Sequence, residues 1–442
     1  MSSTTSVDGL VSGLNTTQII SQLMQVAAQP QTDLRTAVAK ENTVVSAYQS
    51  VNSKLLALQT AAEAFTAPSA LVPTNPTWQS VKATSSSSAV VATATAGATS
   101  GSFTFNVTGL AQAQVSTAAL DPNGPATTGS GIDLTIGSTT THLDPATDTP
   151  QGVADAINGA KLGVSAAVVN TTQGTMLQLT GSTGTSNAFS VGGLVSGLTD
   201  VIPAGDAQIT VGDPTQGTGY TVTSGTNTFS NVIPNLTLTV SQQTTTPVTV
   251  NVTPDADAIA DKMQAMVDAA NGALSQISGQ TAYNASTKSG SPLTGDYAVR
   301  NIQSNVLDAI SSGVSGYGDL KQMGLQLTST GSLTFDRNAF VAAFTANPSG
   351  VQSAVADGLA KNLDTVAKAA TDPLSGSLTT AIQGGNSQVT RLNKQISDWD
   401  TRLAAKQTAY QTMFTNLEVA LGKMKDQSSW LASQIAGLPS GG

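Results

Sequence analysis

VTRLNKQISDWDTRLAAKQTAYQTMFTNLEVALGKMKDQSSWL, residues 389–431, is the stretch that decides the architecture. Val389, Leu392, Ile396, Trp399, Leu403, Tyr410, Met413, Leu417, Ala420, Met424 and Leu431 fall at alternating spacings of three and four, with only Lys406 and Gln427 as polar interruptions. Such a stripe is the seam of a coiled coil. As one helix the stretch would extend roughly 65 Å at 1.5 Å per residue, too far for a small domain to bury.

The opposite end of the chain carries the same period. Ile20, Leu23, Ala27, Leu34, Ala37, Val44, Tyr48, Val51, Leu55, Leu58, Ala62 and Phe65 continue it, with Pro30 and Glu41 at two seam positions. Proline lacks the helical N–H, so a break is expected between an outer and an inner helix. Pro68, Pro73 and Pro76 close the helical zone. Two distant termini sharing one period read as a long antiparallel helix pair, and the length favours residual apolar surface offered to other subunits.

Between Thr77 and Thr253 the texture changes to short period-two runs bounded by Gly, Asn, Asp and Pro, the pattern of β-structure. Strands are expected at 102–108, 133–136, 176–180, 208–211, 236–240 and 247–252. One helix interrupts them at 150–160, with Thr149 as N-cap and Val153, Ala156 and Ile157 on one face. Helical signals return at Thr253, where Thr-Pro-Asp supplies a cap, a proline at the first helical position and a carboxylate suited to the dipole. Ile259, Met263, Met266, Ala270, Leu274 and Ile277 form that stripe. A further helix follows Thr294 and ends at Gly313, and a hairpin turns at 329–331 between Leu325, Leu327 and Leu333, Phe335. Asp336 then caps a helix bearing Phe340 and Phe344. The chain thus leaves a helical layer, builds β-structure and returns.

Composition narrows the chemistry. The 442 residues include 18 basic and 27 acidic ones, a formal charge of −9, which offers no grip on nucleic acid. Charged residues are only 10% of the chain against a usual quarter. Between Lys82 and Lys262 the sole basic residue is Lys161, a pattern equally suited to a neutral β surface and to one that avoids anions. With no cysteine there is no disulfide, thiolate nucleophile or zinc-thiolate site. The single histidine, His142, cannot build a multi-histidine metal centre, and its Thr-Thr-Thr-His-Leu-Asp setting reads as a solvated turn without a Gly-x-Ser-x-Gly element. Asp255 with Asp257, and Asp398 with Asp400, lie two apart and so point to different sides of a helix, as surface or cap charges do. Gly192, Gly193 and Gly197 lack a phosphate-loop lysine. No enzyme, cofactor or metal is expected. No Lys or Arg precedes Arg35 and no long apolar run occurs, so neither a cleavable signal nor a membrane span is expected.

The residues that carry this organisation resemble the hook-associated protein 2 family of flagellar filament caps. Val7-Asp8-Gly9-Leu10-Val11-Ser12-Gly13-Leu14-Asn15-Thr16, leading to Ile19, Ile20 and Leu23, is similar to the family's opening signature, with Asn15 where Asp is usual. Residues 101–111, GSFTFNVTGLA, resemble a first plate strand, and 152–181 resembles the insert module shared by flagellin and hook-associated proteins. The most specific match runs from Gly324-Leu325-Gln326-Leu327 through Gly331-Ser332-Leu333-Thr334-Phe335-Asp336 to Phe340, followed by Asn347-Pro348-Ser349-Gly350-Val351. Gln427-Ser428-Ser429-Trp430-Leu431 resembles the closing helix. The low charge of the terminal helices departs from the family, so its subunit contacts are not carried over in detail.

The resemblance implies an α+β multidomain protein with long terminal coiled-coil helices, a helical-bundle domain with a β-hairpin, and two inserted β-rich plate domains. It implies a terminal leg domain from 1–38 and 385–442, a helical domain from 39–72 and 254–384, an inner plate from 73–118 and 205–253, and an outer plate from 119–204. It further implies a pentamer-like homo-oligomeric ring that caps the filament and promotes flagellin polymerisation. The implied partners are flagellin, the hook-associated junction proteins and an export chaperone at the C-terminal region, with no nucleic acid and no membrane insertion. The implied location is the extracellular flagellum tip, reached through the flagellar type III secretion apparatus without a cleaved signal. Leu10, Leu14, Ile20, Leu23, Leu403, Met413, Leu417, Leu421 and Leu431 are the residues expected to carry leg packing. The alternatives are another hook-associated junction protein and a secreted cell-surface adhesin.

Overall fold

In a computed structural model describing residues 12–67, 75–213, 216–312 and 320–436, both terminal stripes are helical. Leu10, Pro68, Pro73 and Gly313 lie outside the described residues. The N-terminal stripe divides into α1 (Thr16–Ala27) and α2 (Gln29–Glu63), with Pro30 in the first turn of α2, where its missing N–H costs least. Asn15 caps α1, its Oδ1 accepting the N–H of Gln18 at 2.8 Å. The chain forms two compact units, Met1–Thr66 with Met263–Gly442, and Ala67–Lys262.

The Ala67–Lys262 unit holds β1 (Val81–Ser85), β2 (Val90–Ala94), β3 (Gly101–Gly109), β4 (Ala113–Ala119), β5 (Ile132–Ile136), β6 (Thr139–Leu143), α3 (Pro150–Ala160), β7 (Ser165–Thr171) and β8 (Gly174–Thr183). It continues through β9 (Phe189–Gly192), β10 (Thr199–Ile202), β11 (Ala207–Val211), β12 (Tyr220–Ser224), β13 (Thr228–Ile233), β14 (Leu236–Val240) and β15 (Val248–Pro254). A five-stranded antiparallel sheet, β1-β15-β3-β11-β12, and a three-stranded sheet, β13-β14-β2, share one apolar core. The alternation of β3 explains why: Phe105 and Val107 are buried there, while Thr104 and Thr108 remain exposed.

A second, separate core lies beneath the sheets β10-β4-β8-β7 and β6-β5-β9. Val153 and Ile157 of α3 pack there with Ile132, Leu134, Leu177 and Leu179. Helix α3 starts at the expected proline, and Thr149 accepts the Gly152 N–H at 3.2 Å. Gln114 is buried in this region with both its amide oxygen and its amide nitrogen hydrogen-bonded. Its Nε2 donates to the Phe189 carbonyl at 2.8 Å, to Asp200 at 3.0 Å and to Ser116 at 2.9 Å, and its Oε1 accepts the Phe189 N–H at 2.8 Å.

The other unit is helical. After α4 (Ala256–Thr281), whose residues from Met263 belong here, come β16 (Tyr283–Asn284), β17 (Ser289–Gly290), α5 (Tyr297–Ser311), the hairpin β18 (Leu325–Leu327) and β19 (Leu333–Phe335), and α6 (Arg337–Ala346). Next are α7 (Pro348–Ser353), a π-helical stretch at Ala354–Ala360, α8 (Lys361–Thr371) and α9 (Ser377–Ala436). Val51, Leu55, Leu58 and Ala62 of α2, with Phe65, form a fully buried ridge, and α2 packs against both α8 and α9. Asn271 of α4 clasps the hairpin, its amide bonding both the N–H and the carbonyl of Leu333 at 2.7 Å.

Two expectations are corrected. The Thr253 cap is displaced: β15 runs through Pro254, and Asp255 caps α4 by accepting the Ala258 N–H at 3.1 Å. Pairing with β1 holds Thr253 and Pro254 extended, because Lys82 and Val81 lie opposite them. His142 stands in strand β6 rather than in a turn, in register with Asp133 of β5. Its Nδ1 is 2.7 Å from Asp133 and its Nε2 3.3 Å from Asp144, so the two carboxylates lie at opposite nitrogens of an exposed ring. Hydrogen bonding to Asp133, aided by the nearby Asp144 charge, raises the imidazole pKa.

Candidate functional site: the terminal helix pair

Helix α9 has 60 residues, roughly 90 Å at 1.5 Å per residue. Helices α1 and α2 run antiparallel along it in continuous register. Ser12 donates its backbone N–H to Glu418 at 3.3 Å and its hydroxyl to the same carboxylate. Further along, Gln31 donates to Asp400 and to the Ile396 carbonyl, and Val45 meets Gly385. Gln31 is buried, a polar seam residue that hydrophobic periodicity does not reveal. Gly385 is needed at its crossing, because a Cβ there would lie 2.5 Å from Val45 Cγ2.

Farther in, α2 is fixed to its neighbours by polar clasps. The Tyr48 hydroxyl donates to Asp296 Oδ2, while Asp296 Oδ1 caps α5 through the Val299 N–H at 2.9 Å. Desolvation and that carboxylate push the phenol up to about 12. Lys368 lies 3.1 Å from Glu63 and 2.8 Å from Asp364, tying α2 to α8. Hydrogen bonds from Gln59 and Lys368 hold the Glu63 carboxyl below the usual range, and Lys368 is raised by Asp364 and Glu63. These groups are engaged in hydrogen bonds and ion pairs that join the helices. Among the described residues no three His, Cys, Asp or Glu side chains gather to hold a metal. Nor is any described helix long and apolar enough to cross a membrane.

The residues singled out for leg packing fall into distinct environments. Ile20 is buried; Leu403 and Leu421 are half-buried; Leu14, Leu23, Met413, Leu417 and Leu431 are exposed, Leu417 at 41%. Along the distal part of α9 the better-covered side chains are Tyr410, Phe414, Glu418 and Leu421 instead. The shift follows from helix geometry: a strict seven-residue repeat drifts about 20° per heptad around a helix of 3.6 residues per turn. Over four heptads the stripe that begins at Val389 therefore rotates away from the partner by residue 417. Met413, Leu417, Met424, Leu431 and Ile435 then form an apolar strip that the described residues leave 41–61% exposed, while Val419 and Trp430 are exposed on a different side of the helix.

Residues 12–114 match the family model for the N-terminus of flagellar hook-associated protein 2, and residues 204–426 the model for its C-terminus. The chain is 29% identical to flagellar hook-associated protein 2 of Escherichia coli (strain K12), covering 97% of both chains. It is 25% identical to that of Salmonella typhimurium, covering 67% of this chain and 68% of the other. Among solved structures it is similar to the D1-D2-D3 domains of the flagellar cap protein FliD from Escherichia coli. That likeness has a TM-score of 0.57 and 27% identity over 77% of this chain and 99% of the other.

Proposed function

The chain belongs to the flagellar hook-associated protein 2 family, and from that premise we propose that it caps a growing flagellar filament, with the exposed strip on α9 as the surface that engages the filament. It is a structural component of the flagellum, not an enzyme. Copies assemble into a pentamer-like ring at the distal tip, and the ring keeps exported flagellin from escaping while each subunit is placed.

The division of labour follows the two kinds of surface. Residues 1–38 and 385–442 act as legs; 39–72 and 254–384 join them to an inner plate, 73–118 with 205–253, and an outer plate, 119–204. The two separate apolar cores within Ala67–Lys262 support the division of the plate. Leu10, Leu14, Ile20, Leu23, Leu403, Met413, Leu417, Leu421 and Leu431 carry leg packing, partly within the chain and partly against flagellin.

The single observation that carries the reading is the uncovered apolar strip of α9. A half-open row of Met, Leu and Ile side chains along one side of a helix is a surface built to be covered by a partner. Binding and folding of flagellin supply the free energy for advancing the cap, since no phosphate loop is present. Before assembly, an export chaperone shields the C-terminal strip, and the chain leaves through the flagellar type III apparatus. At the tip it follows the hook-associated junction proteins.

Immunogold electron microscopy against the chain tests the placement. Label confined to distal filament ends is expected; label along the shaft or only at the hook would overturn it.

A further inference from the structure

Beside the junction of α1 and α2 the leg carries an open groove of about 520 Å³, lined by Pro30, Asp33 and Leu34 of α2 and by Asp398, Trp399 and Arg402 of α9. The Arg402 guanidinium lies 5.5 Å from the Trp399 ring centroid. Pro30 is exposed while Leu34 and Trp399 are half-buried, so the floor is apolar and only partly covered. Two carboxylates stand on the rim, one from each helix. Among the described residues Asp33 accepts only from Gln29 on its own helix, and Asp398 faces only Lys394 at 3.5 Å, also within its own helix. Arg402 is the one cation of the lining, and Lys394, outside it, offsets part of the Asp398 charge.

The same helix α9 carries the complementary element farther along. Met424 is 56% exposed, and Lys423 and Lys425 flank it in sequence. At about 100° per residue the two lysines stand on either side of the Met424 side chain, while Asp426 falls on the far side. Neither lysine has an ion-pair partner among the described residues. Met424 is an unbranched thioether of the kind that packs well against an aromatic ring such as Trp399.

We propose that the Lys423-Met424-Lys425 segment of one copy docks in the Pro30–Trp399 groove of a second copy, with Met424 on the apolar floor and the two lysines beside Asp33 and Asp398. The groove of one chain cannot accept its own segment, because the two lie roughly 40 Å apart along a continuous helix. Donor and acceptor are different surfaces, so the contact is heterologous and leads from copy to copy in one sense, as ring closure requires. The inference rests on the reading of this chain as a ring-forming cap, and it assigns Met424 of the strip to a neighbouring copy, leaving Met413, Leu417 and Leu431 to the filament.

The absence of cysteine allows a direct test in the full chain. Gln395→Cys at the groove and Met424→Cys on the segment are combined, both at exposed positions. The sites are roughly 44 Å apart along α9, so any disulfide between them is intermolecular. Mild oxidation is expected to give a covalent ladder beyond the dimer, whereas each single substitution gives at most dimers. Charge reversal of the rim, Asp33→Lys with Asp398→Lys, should lower the ladder at least tenfold, and adding Lys423→Glu with Lys425→Glu should restore it. Sedimentation of the unmodified protein is run alongside. Assembly without a ladder, or a ladder insensitive to charge reversal, overturns the docking and leaves the ring intact; a chain that stays monomeric at all concentrations overturns both.

Discussion

Leu417→Asp separates the folding of the leg from its use. In the isolated chain Leu417 retains 41% of its surface. Full burial of a leucine contributes about 1.5–3 kcal/mol, so the part left for a partner to cover is worth about 0.6–1.2 kcal/mol. Taking an unpaired carboxylate into the same contact costs several kcal/mol more. Assembly should therefore weaken by at least about 2 kcal/mol, about thirtyfold for each leg. The isolated fold should lose less, about 1–2 kcal/mol from partial packing and helix propensity. This is the reverse of what a buried seam position would give. Urea unfolding followed by circular dichroism measures the loss in the isolated fold, with Leu55→Ala as the core control, since Leu55 is fully buried and its truncation costs about 2–5 kcal/mol. Filament length at matched secreted levels reads the loss in assembly. A Leu417→Asp chain that unfolds as readily as Leu55→Ala, or that supports filaments of parental length, would refute the reasoning.

Neighbouring glycines of α9 should respond in opposite directions. Gly384→Ala meets nothing within 4 Å and should stabilise by about 0.5–1 kcal/mol, whereas Gly385→Ala strikes Val45 and should destabilise by about 1–3 kcal/mol; thermal melting of the two variants checks the sign. Tyr48→Phe removes the hydroxyl from Asp296 and should cost about 1.5–3 kcal/mol near neutrality in chemical unfolding. The folded-state phenol is raised from 10.0 to about 12, so its contribution is complete below pH 10 and disappears as pH climbs through 12. The difference between parent and Tyr48→Phe should therefore shrink across that window; a constant difference counts against the clasp. Gln114→Ala strands the Phe189 N–H and carbonyl, and should destabilise the β10-β4-β8-β7 region by about 1–3 kcal/mol while amide exchange in β14 and β15 stays slow.

Much of the architecture was legible because local chemistry and tertiary context agree. The Thr149 cap and Pro150 give α3 the expected start, and the Leu325 to Phe335 hairpin and the Asp336 cap also lie where turn and cap residues put them. The family motifs were legible too, and the matches over 12–114 and 204–426 bear out that resemblance. What escaped depended on partners remote in sequence. Thr253 and Pro254 have good helix-start chemistry, yet pairing with Val81 and Lys82 keeps them extended. His142 looked like part of a turn because its threonine run is polar throughout, and only register with Asp133 makes it a strand. Gln31 gave no apolar signal, although its bonds to Asp400 and Ile396 bury it in the leg. The seam was read as one stripe, whereas the drift of a seven-residue repeat brings Phe414 rather than Met413 to the better-covered side.

The most direct measurement of the cap reading is electron microscopy of a strain deleted for this chain, with flagellin in the medium quantified in parallel. Short or missing filaments with abundant soluble flagellin, both reversed by restoring the parental chain but not by the Leu417→Asp chain, are the predicted result. Filaments of parental length and no excess flagellin in the deleted strain would contradict it.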